Sequence, residues 1–390
     1  MRFISLFVFL FFSVSGLLSA QEINIALPEK ANATYVFVLN RGLKSDTIQQ
    51  GKLDNAGKAK VEIPASHAQY RGAAFLKVGN DEPLNLIVNN ERFTITQDDS
   101  KQYQFQGSLE NEYLYDIIRL GKSTVVIADT SYAKEFIGIL GYIGDLNRFW
   151  SRNSTTFYEK SRMLDYAMNE INYESLYTSG LWFYVVDGLF KLHADQELLG
   201  KNINTVLDKI QSQEVYEYLI SNVITITQQY GLDDAFEIII PHVMQSGRIK
   251  TPTGDIYAAF RMAKVLKGQK APTLVGLRPA KDGAYDKTII IFFQSGCTNC
   301  EKEIELLKKE YSSLEQKKIR VVAVSADEDR SEFATKVSSF PWADTLCDFE
   351  GFSGDNFINY GVMSTPMVYL VDKNWTLIGR YASYSVLKLD

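Results

Sequence analysis

Three periodicities succeed one another along this chain. From residue 23 to about residue 107 the apolar runs are short and rich in β-branched and aromatic residues, as over 33–39, which suits a pleated, half-buried surface. Asp54-Asn55-Ala56-Gly57 separates 47–53 from 58–63, with Gly57 supplying a φ > 0 position, and Asn89-Asn90 separates 84–88 from 92–96, so both read as hairpins. This spacing predicts a small antiparallel sandwich or barrel over residues 21–107. From 108 to 267 apolar residues recur at three- and four-residue steps, over 133–146, 216–226 and 234–244, with Asp233-Asp234 as a helix start. After the break at Pro252 and Gly254 a last helix is expected over 256–266. The aromatics of this helical region, Phe149, Trp150, Trp182, Phe183 and Tyr184, are expected in its core, with a ligand groove as the alternative. From 268 to 390 strands and helices alternate: strand 288–293, helix 301–316 with Ile304, Leu307, Tyr311 and Leu314 on one side, strand 319–325 and helix 331–340. A hairpin of 367–371 and 377–381 about Lys373-Asn374 follows. A nearly continuous apolar run such as 288–293 marks a strand covered on both faces, and the order is that of an α/β domain.

Composition adds few constraints. At 390 residues and 46% hydrophobic content the chain has material for two or three folded domains. A formal charge of −6 lacks the basic footprint of a nucleic-acid binder, so no nucleic-acid partner is expected. The first twenty residues differ from the rest: Arg2, an apolar run over 3–18, then Ser19-Ala20-Gln21, the composition of a signal peptide over 1–20. An uncleaved membrane anchor is the alternative, although the run is short for a span. The protein is therefore expected to be exported.

Three cysteines are too few for the disulfide scaffold of a secreted chain. Two form Cys297-Thr298-Asn299-Cys300, between the buried strand and the helix after it, and Cys347 stands alone. At that junction Cys297 meets the unpaired N–H groups of a helix start, which favour a thiolate, the nucleophilic form. Cys300, one turn on, is placed to resolve a mixed disulfide. A zinc site would need a second Cys or His pair, which His67, His193 and His242 do not supply; a static disulfide is the other alternative. Cys347 reads as a buried free thiol, with a resolving or regulatory role as the alternative, and Asp327-Glu328-Asp329 as a solvated loop.

Downstream, Tyr360-Gly-Val-Met-Ser-Thr365-Pro366 leads into the strand at 367. Together with the dithiol this resembles the thioredoxin superfamily, which implies that Pro366 is cis, faces the cysteines, and that Thr365 offers its backbone to a substrate polypeptide. The resemblance is closer to TlpA-like, AhpC/TSA-related periplasmic thiol–disulfide oxidoreductases. It rests on Gly268-Gln-Lys-Ala-Pro272, the run 289–293 before Cys-Thr-Asn-Cys, the run 321–327, Thr365-Pro-Met-Val-Tyr-Leu-Val-Asp372 and Trp375-Thr-Leu-Ile-Gly-Arg380. It covers about 268 to 381 and implies a thioredoxin-like C-terminal domain behind a β-rich accessory domain and a helical region. It also implies a place in the periplasm or cell envelope of a Gram-negative bacterium. Some TlpA-like reductases carry a Glu where Glu303 stands, which implies a modulating role for it, a raised pKa and proton transfer to Cys300; a solvated helix Glu is the alternative. The chain departs from the family pattern at Gly296, where an aromatic residue is usual, at Thr298-Asn299, and at Ile291, where thioredoxin has a buried acid. The tail over 382–390 is short for that fold's last helix.

The function expected is thiol–disulfide exchange on protein disulfides in the reducing direction. Cys297 attacks, Cys300 resolves, and a membrane thiol–disulfide reductant, or an oxidant for the reverse direction, is the partner. No cofactor or metal is implied. An envelope ligand- or protein-binding module with a redox-gated thioredoxin-like domain is the alternative. A thiol peroxidase is weaker still, because Ile290 and Gln294 occupy the places of its Pro and Thr.

Overall fold

Eight strands precede the first helix in this computed structural model, which describes residues 21–152, 156–281, 283–387 and 389. The segment read as a signal peptide, residues 1–20, lies outside the described residues. Among the described residues the chain divides into two compact units. One runs to Leu192 and includes Ile210–Val215; the other comprises His193–Lys209 and everything from Tyr216 onward.

The first unit opens with β1 (Glu22–Ala26), β2 (Thr34–Arg41), β3 (Lys44–Lys52), β4 (Lys58–Glu62), β5 (Arg71–Val78), β6 (Leu84–Asn89), β7 (Arg92–Gln97) and β8 (Tyr103–Gln106). They form two four-stranded sheets, ordered β4-β1-β7-β8 and β3-β2-β5-β6. Alternate residues of both enter one core, including Ile23, Ile25, Phe37, Leu39, Leu86, Val88, Phe93 and Ile95. Two expectations need correction. The turns at Asp54–Gly57 and Asn89-Asn90 exist, but β3 and β4, and likewise β6 and β7, lie in different sheets and are not hairpins. Nor is the sandwich wholly antiparallel, since β1 runs parallel to β7. A turn sequence specifies that the chain reverses, not which sheet edge receives the next strand. At the second corner the buried Gln21 holds the switch: its amide donates to Asn90 Oδ1 (3.1 Å) and accepts from Asn90 N (3.0 Å). At the first, Gly57 (φ 71°) has no room for a side chain, because a Cβ would fall 2.1 Å from the Leu27 carbonyl oxygen.

The helices α1 (Leu109–Leu120), α2 (Tyr132–Trp150), α3 (Phe157–Asn169), α4 (Tyr173–Tyr177) and α5 (Trp182–Lys191) follow in the same unit. Ser108 caps α1, and Thr156 with Glu159 forms a capping box on α3. The aromatics divide: Phe149 and Trp182 are buried as expected, whereas Trp150, Phe183 and Tyr184 are half or more exposed. Adjacent positions on a helix point about 100° apart, so Phe149 and Trp182 face the core while the residue after each faces out.

The second unit contains α6 (Gln196–Lys209), α7 (Gln213–Tyr230, its first turn counted with the other unit), α8 (Asp233–Ser246) and α9 (Gly254–Met262). It continues with β9 (Lys287–Phe293), α10 (Thr298–Gln316), β10 (Ile319–Ser325), α11 (Arg330–Val337), β11 (Asp344–Leu346), α12 (Asp355–Tyr360), β12 (Met367–Asp372) and β13 (Leu377–Tyr381). The five-stranded sheet has the order β11-β10-β9-β12-β13, with β9, β10 and β11 parallel and β12 antiparallel to both neighbours. Ile290 and Phe292 of β9 enter the core beneath α12, with Phe357 and Tyr360. Ile289, Ile291 and Phe293 enter the opposite one with Cys300, Ile304, Leu307 and Leu314 of α10. The hairpin expected about Lys373-Asn374 is present as β12 and β13, while β11 and α12 lacked a periodic signal. Among the described residues no helix is long and apolar enough to cross a membrane.

Tyr70 ties the sandwich to the helices of the first unit. Its buried hydroxyl lies 2.6 Å from the Ala73 carbonyl, 3.0 Å from that of Asn40 and 3.1 Å from that of Thr178, and accepts from Asn40 N at 3.1 Å. Burial holds this phenol well above its ordinary pKa, so it stays a neutral donor. Tyr70→Phe leaves Asn40 N without this partner and is expected to destabilise the first unit by about 1–3 kcal/mol. Urea unfolding of wild type and variant reads this as a lower midpoint at unchanged slope.

Candidate active site

The site is built at the carboxyl edge of the parallel strands, where the chain leaves β9 and begins α10. Parallel pairing sets Phe293 opposite Ser325, so residues two steps beyond each strand end also lie side by side. Those residues are Ser295 and Asp327. Asp327 Oδ1 accepts from Ser295 N (2.7 Å) and Oδ2 from the Ser295 hydroxyl (2.6 Å). Asp327 N donates to Ser325 Oγ at 2.9 Å, and Ala326 N donates to the Phe293 carbonyl at 2.8 Å. Of the solvated loop expected over 327–329, Glu328 and Asp329 are exposed, but Asp327 is not. Asp327 is 3% exposed, and Asp329 caps α11 by accepting from Ser331 N and Glu332 N. Charge density suggested solvent, whereas strand register decided burial.

Gly296 (φ 74°) turns the chain from Ser295 into α10, and a Cβ there would meet nothing within 4 Å. The dithiol is therefore bare on the side where an aromatic was missed. Cys297 is the N-cap of α10: its sulfur accepts from Cys300 N at 3.2 Å and its carbonyl from Glu301 N at 3.0 Å. The two cysteines are joined in a disulfide, with their Cα atoms 5.2 Å apart. Cys297 is half-buried and Cys300 wholly buried, so an incoming thiolate reaches the Cys297 sulfur first.

The loop before β12 completes the site. Thr365–Pro366 is a cis peptide bond, and the Thr365 carbonyl oxygen lies 3.9 Å from Cys297 Sγ. The structure thus brings together Cys297, Cys300, Thr365 and Pro366. The base of this loop is held by Gly361 (φ 68°), where a Cβ would fall 2.0 Å from the Arg261 carbonyl oxygen of α9's end. Arg261 in turn donates to the Phe357 carbonyl at 3.1 Å.

Glu303 lies on the same helix but is engaged elsewhere. Its carboxylate accepts from the Ser383 hydroxyl (2.9 Å) and from Tyr384 N (2.7 Å), fastening the chain's last short turn, Tyr384–Val386, to α10. Among the described residues no group of His, Cys, Asp and Glu is arranged to hold a metal ion. Asp327 is the site residue that sequence reading missed. The available signal was an acid placed just beyond a mostly apolar strand that follows the dithiol's helix.

Cys347 is the one free cysteine, half-buried, with Sγ 3.2 Å from the Asp327 carbonyl oxygen. Burial is the main cause that pushes its thiol above the ordinary value, with Asp327 and Asp348 adding to it. At any pH it holds less thiolate than free cysteine. Unreduced protein is therefore expected to give one slowly reacting thiol toward a dithiobenzoate reagent, with its rate–pH midpoint above that of free cysteine. A midpoint at or below that of free cysteine contradicts this.

Residues 285–377 match the family model described as thioredoxin-like. No curated protein matches the chain. Solved structures similar to the C-terminal part include a thioredoxin-like protein from Parabacteroides distasonis (16% identity, 30% of this chain and 89% of that one, TM-score 0.28). A thiol-disulfide oxidoreductase from Bacteroides fragilis shows 23% identity over 26% of this chain and 75% of that one, with a TM-score of 0.24. The thioredoxin domain of a thiol-disulfide oxidoreductase from Bacteroides vulgatus shows 19% identity over 31% and 91%, with a TM-score of 0.27. With its sheet order, its helix-capping disulfide and the family match in one segment, the C-terminal region of this chain is a thioredoxin-like domain.

Proposed function

We propose that this protein is a thiol–disulfide oxidoreductase of the bacterial cell envelope that reduces protein disulfides. The observation that carries this reading is the Cys297–Cys300 disulfide at the start of α10, with its outer sulfur 3.9 Å from the Thr365 carbonyl. In the reduced protein the Cys297 thiolate attacks one sulfur of a substrate disulfide. This forms a mixed disulfide and releases one substrate thiolate, which takes up a proton. Cys300 then loses its proton and attacks Cys297 Sγ, forming the intramolecular disulfide and expelling the second substrate thiol. Two electrons and two protons pass to the substrate. A membrane thiol–disulfide reductant restores the dithiol.

Thr365 and Pro366 border the sulfur that a substrate would meet, which supports their role in holding an extended polypeptide. For Glu303 the two bonds to Ser383 and Tyr384 favour an anchoring role over proton transfer. The apolar run ahead of Gln21 supports export.

In insulin-disulfide reduction with a thiol reductant, Cys297→Ser is expected to lose at least about 100-fold in rate, since the nucleophile is gone. Cys300→Ser should trap mixed disulfides visible on non-reducing gels. Equal rates for wild type and Cys297→Ser would leave the binding-module reading in place. Glu303→Gln is expected to stay within about threefold of wild-type turnover while lowering the melting temperature, as loss of a charge-assisted tie requires. A collapse of turnover at unchanged melting would assign Glu303 to the chemistry.

A further inference from the structure

Asp327 carries a charge that the exchange chemistry above does not use. At 3% exposure it is the most buried carboxylate among the described residues, and both its oxygens are taken by one residue, Ser295. Both partners are donors, so the acceptor-only, ionised carboxylate is the form that fits. The cation of its own strand, Arg320, stands at the other end of β10 and is committed to Asp344 at 2.7 Å. Neutral donors fix this charge in place without cancelling it. Ser295 stands two residues before Cys297, and two residues of chain span at most about 7 Å; with the side-chain reach and the hydrogen bond added, the carboxylate lies within roughly 14 Å of the sulfur.

We propose that Asp327 sets the direction of the Cys297–Cys300 pair, its buried charge opposing the thiolate that the α10 N-terminus favours and so biasing the pair toward the disulfide. A dithiol biased in this way gives up its electrons readily and serves as a reductant. The inference rests on the oxidoreductase reading and adds the residue that sets its reducing direction. At this separation, and with the effective dielectric of a protein's outer layer, the charge is worth about tenfold in the equilibrium.

The test is equilibration of the full chain in glutathione buffers: protein disulfide plus two glutathione thiols gives protein dithiol plus one glutathione disulfide. Acid quenching, alkylation and mass spectrometry count the free thiols. Asp327→Asn keeps an acceptor for Ser295 N and offers a donor to the Ser295 hydroxyl, but removes the charge. It is expected to move the equilibrium about three- to tenfold toward the dithiol, tenfold being about 30 mV for two electrons. Ser295→Ala keeps the charge and the bond from the backbone N–H, and should stay within about twofold of wild type. The proposal is overturned if Asp327→Asn matches wild type or moves toward the disulfide. It is equally overturned if Ser295→Ala moves as far, because position and not charge then governs. Asp327→Ser is the second neutral variant; failure of both to fold would make the residue a structural one and would also overturn the proposal. The equilibrium is read without any protein substrate. Failure of wild type to reduce insulin would therefore strike the oxidoreductase reading, and an unmoved equilibrium constant this one.

Discussion

The second unit depends on the complete burial of β9. Each residue from Thr288 to Phe293 is buried, the side chains alternating between two cores, and β10 and β12 occupy both hydrogen-bonding edges. A strand enclosed on four sides has no freedom in register or in direction. Its end is therefore a fixed point in space, and whatever follows within a few residues inherits that precision. Cys297 follows within four. A cysteine on a mobile loop would have its sulfur and its neighbours aligned only part of the time, whereas here the apolar strand supplies the alignment and the polar loop carries the dithiol.

The same logic explains why the site draws on several separate stretches of sequence. β9 delivers Cys297, β10 delivers Asp327 beside Ser295, and the turn after α12 delivers Thr365 and Pro366. The first two arrive at the carboxyl edge of the sheet because parallel β9 and β10 end there together, and the third because antiparallel β12 begins there. α9 contributes from outside the sheet: the carbonyl of Arg261 fills the space where any side chain on Gly361 would lie. Part of the helical region is thus built into the foundations of the loop that faces the cysteines.

The first unit solves a different problem. Its sandwich closes through chain crossings at Gly57 and at Asn89-Asn90, each sealed by backbone or buried amide contacts and not by a hairpin ladder. Tyr70 and Thr178 then fasten the sandwich to α4, so strands and helices that look like separate regions in composition share polar ties.

Local periodicity carried the strands, most helices, the C-terminal α/β order and the position of the dithiol, because hydrophobic spacing and helix-start chemistry are properties of a few neighbouring residues. The cysteines were legible for that reason. Pairing partners were not, and the misses among the strands are of that kind: two turns that are not hairpins, a parallel β1–β7 pair, and a buried Asp327 in an acidic turn. Each depends on which distant strand lies alongside, at separations that no local pattern encodes. By itself the sequence determined that a Cys-x-x-Cys pair stands at a helix start behind a buried strand. Only the tertiary structure decided what surrounds that pair. It set a carbonyl 3.9 Å from the outer sulfur and an open space above Gly296, and it buried a carboxylate beside the loop because β10 lies parallel to β9 in one register.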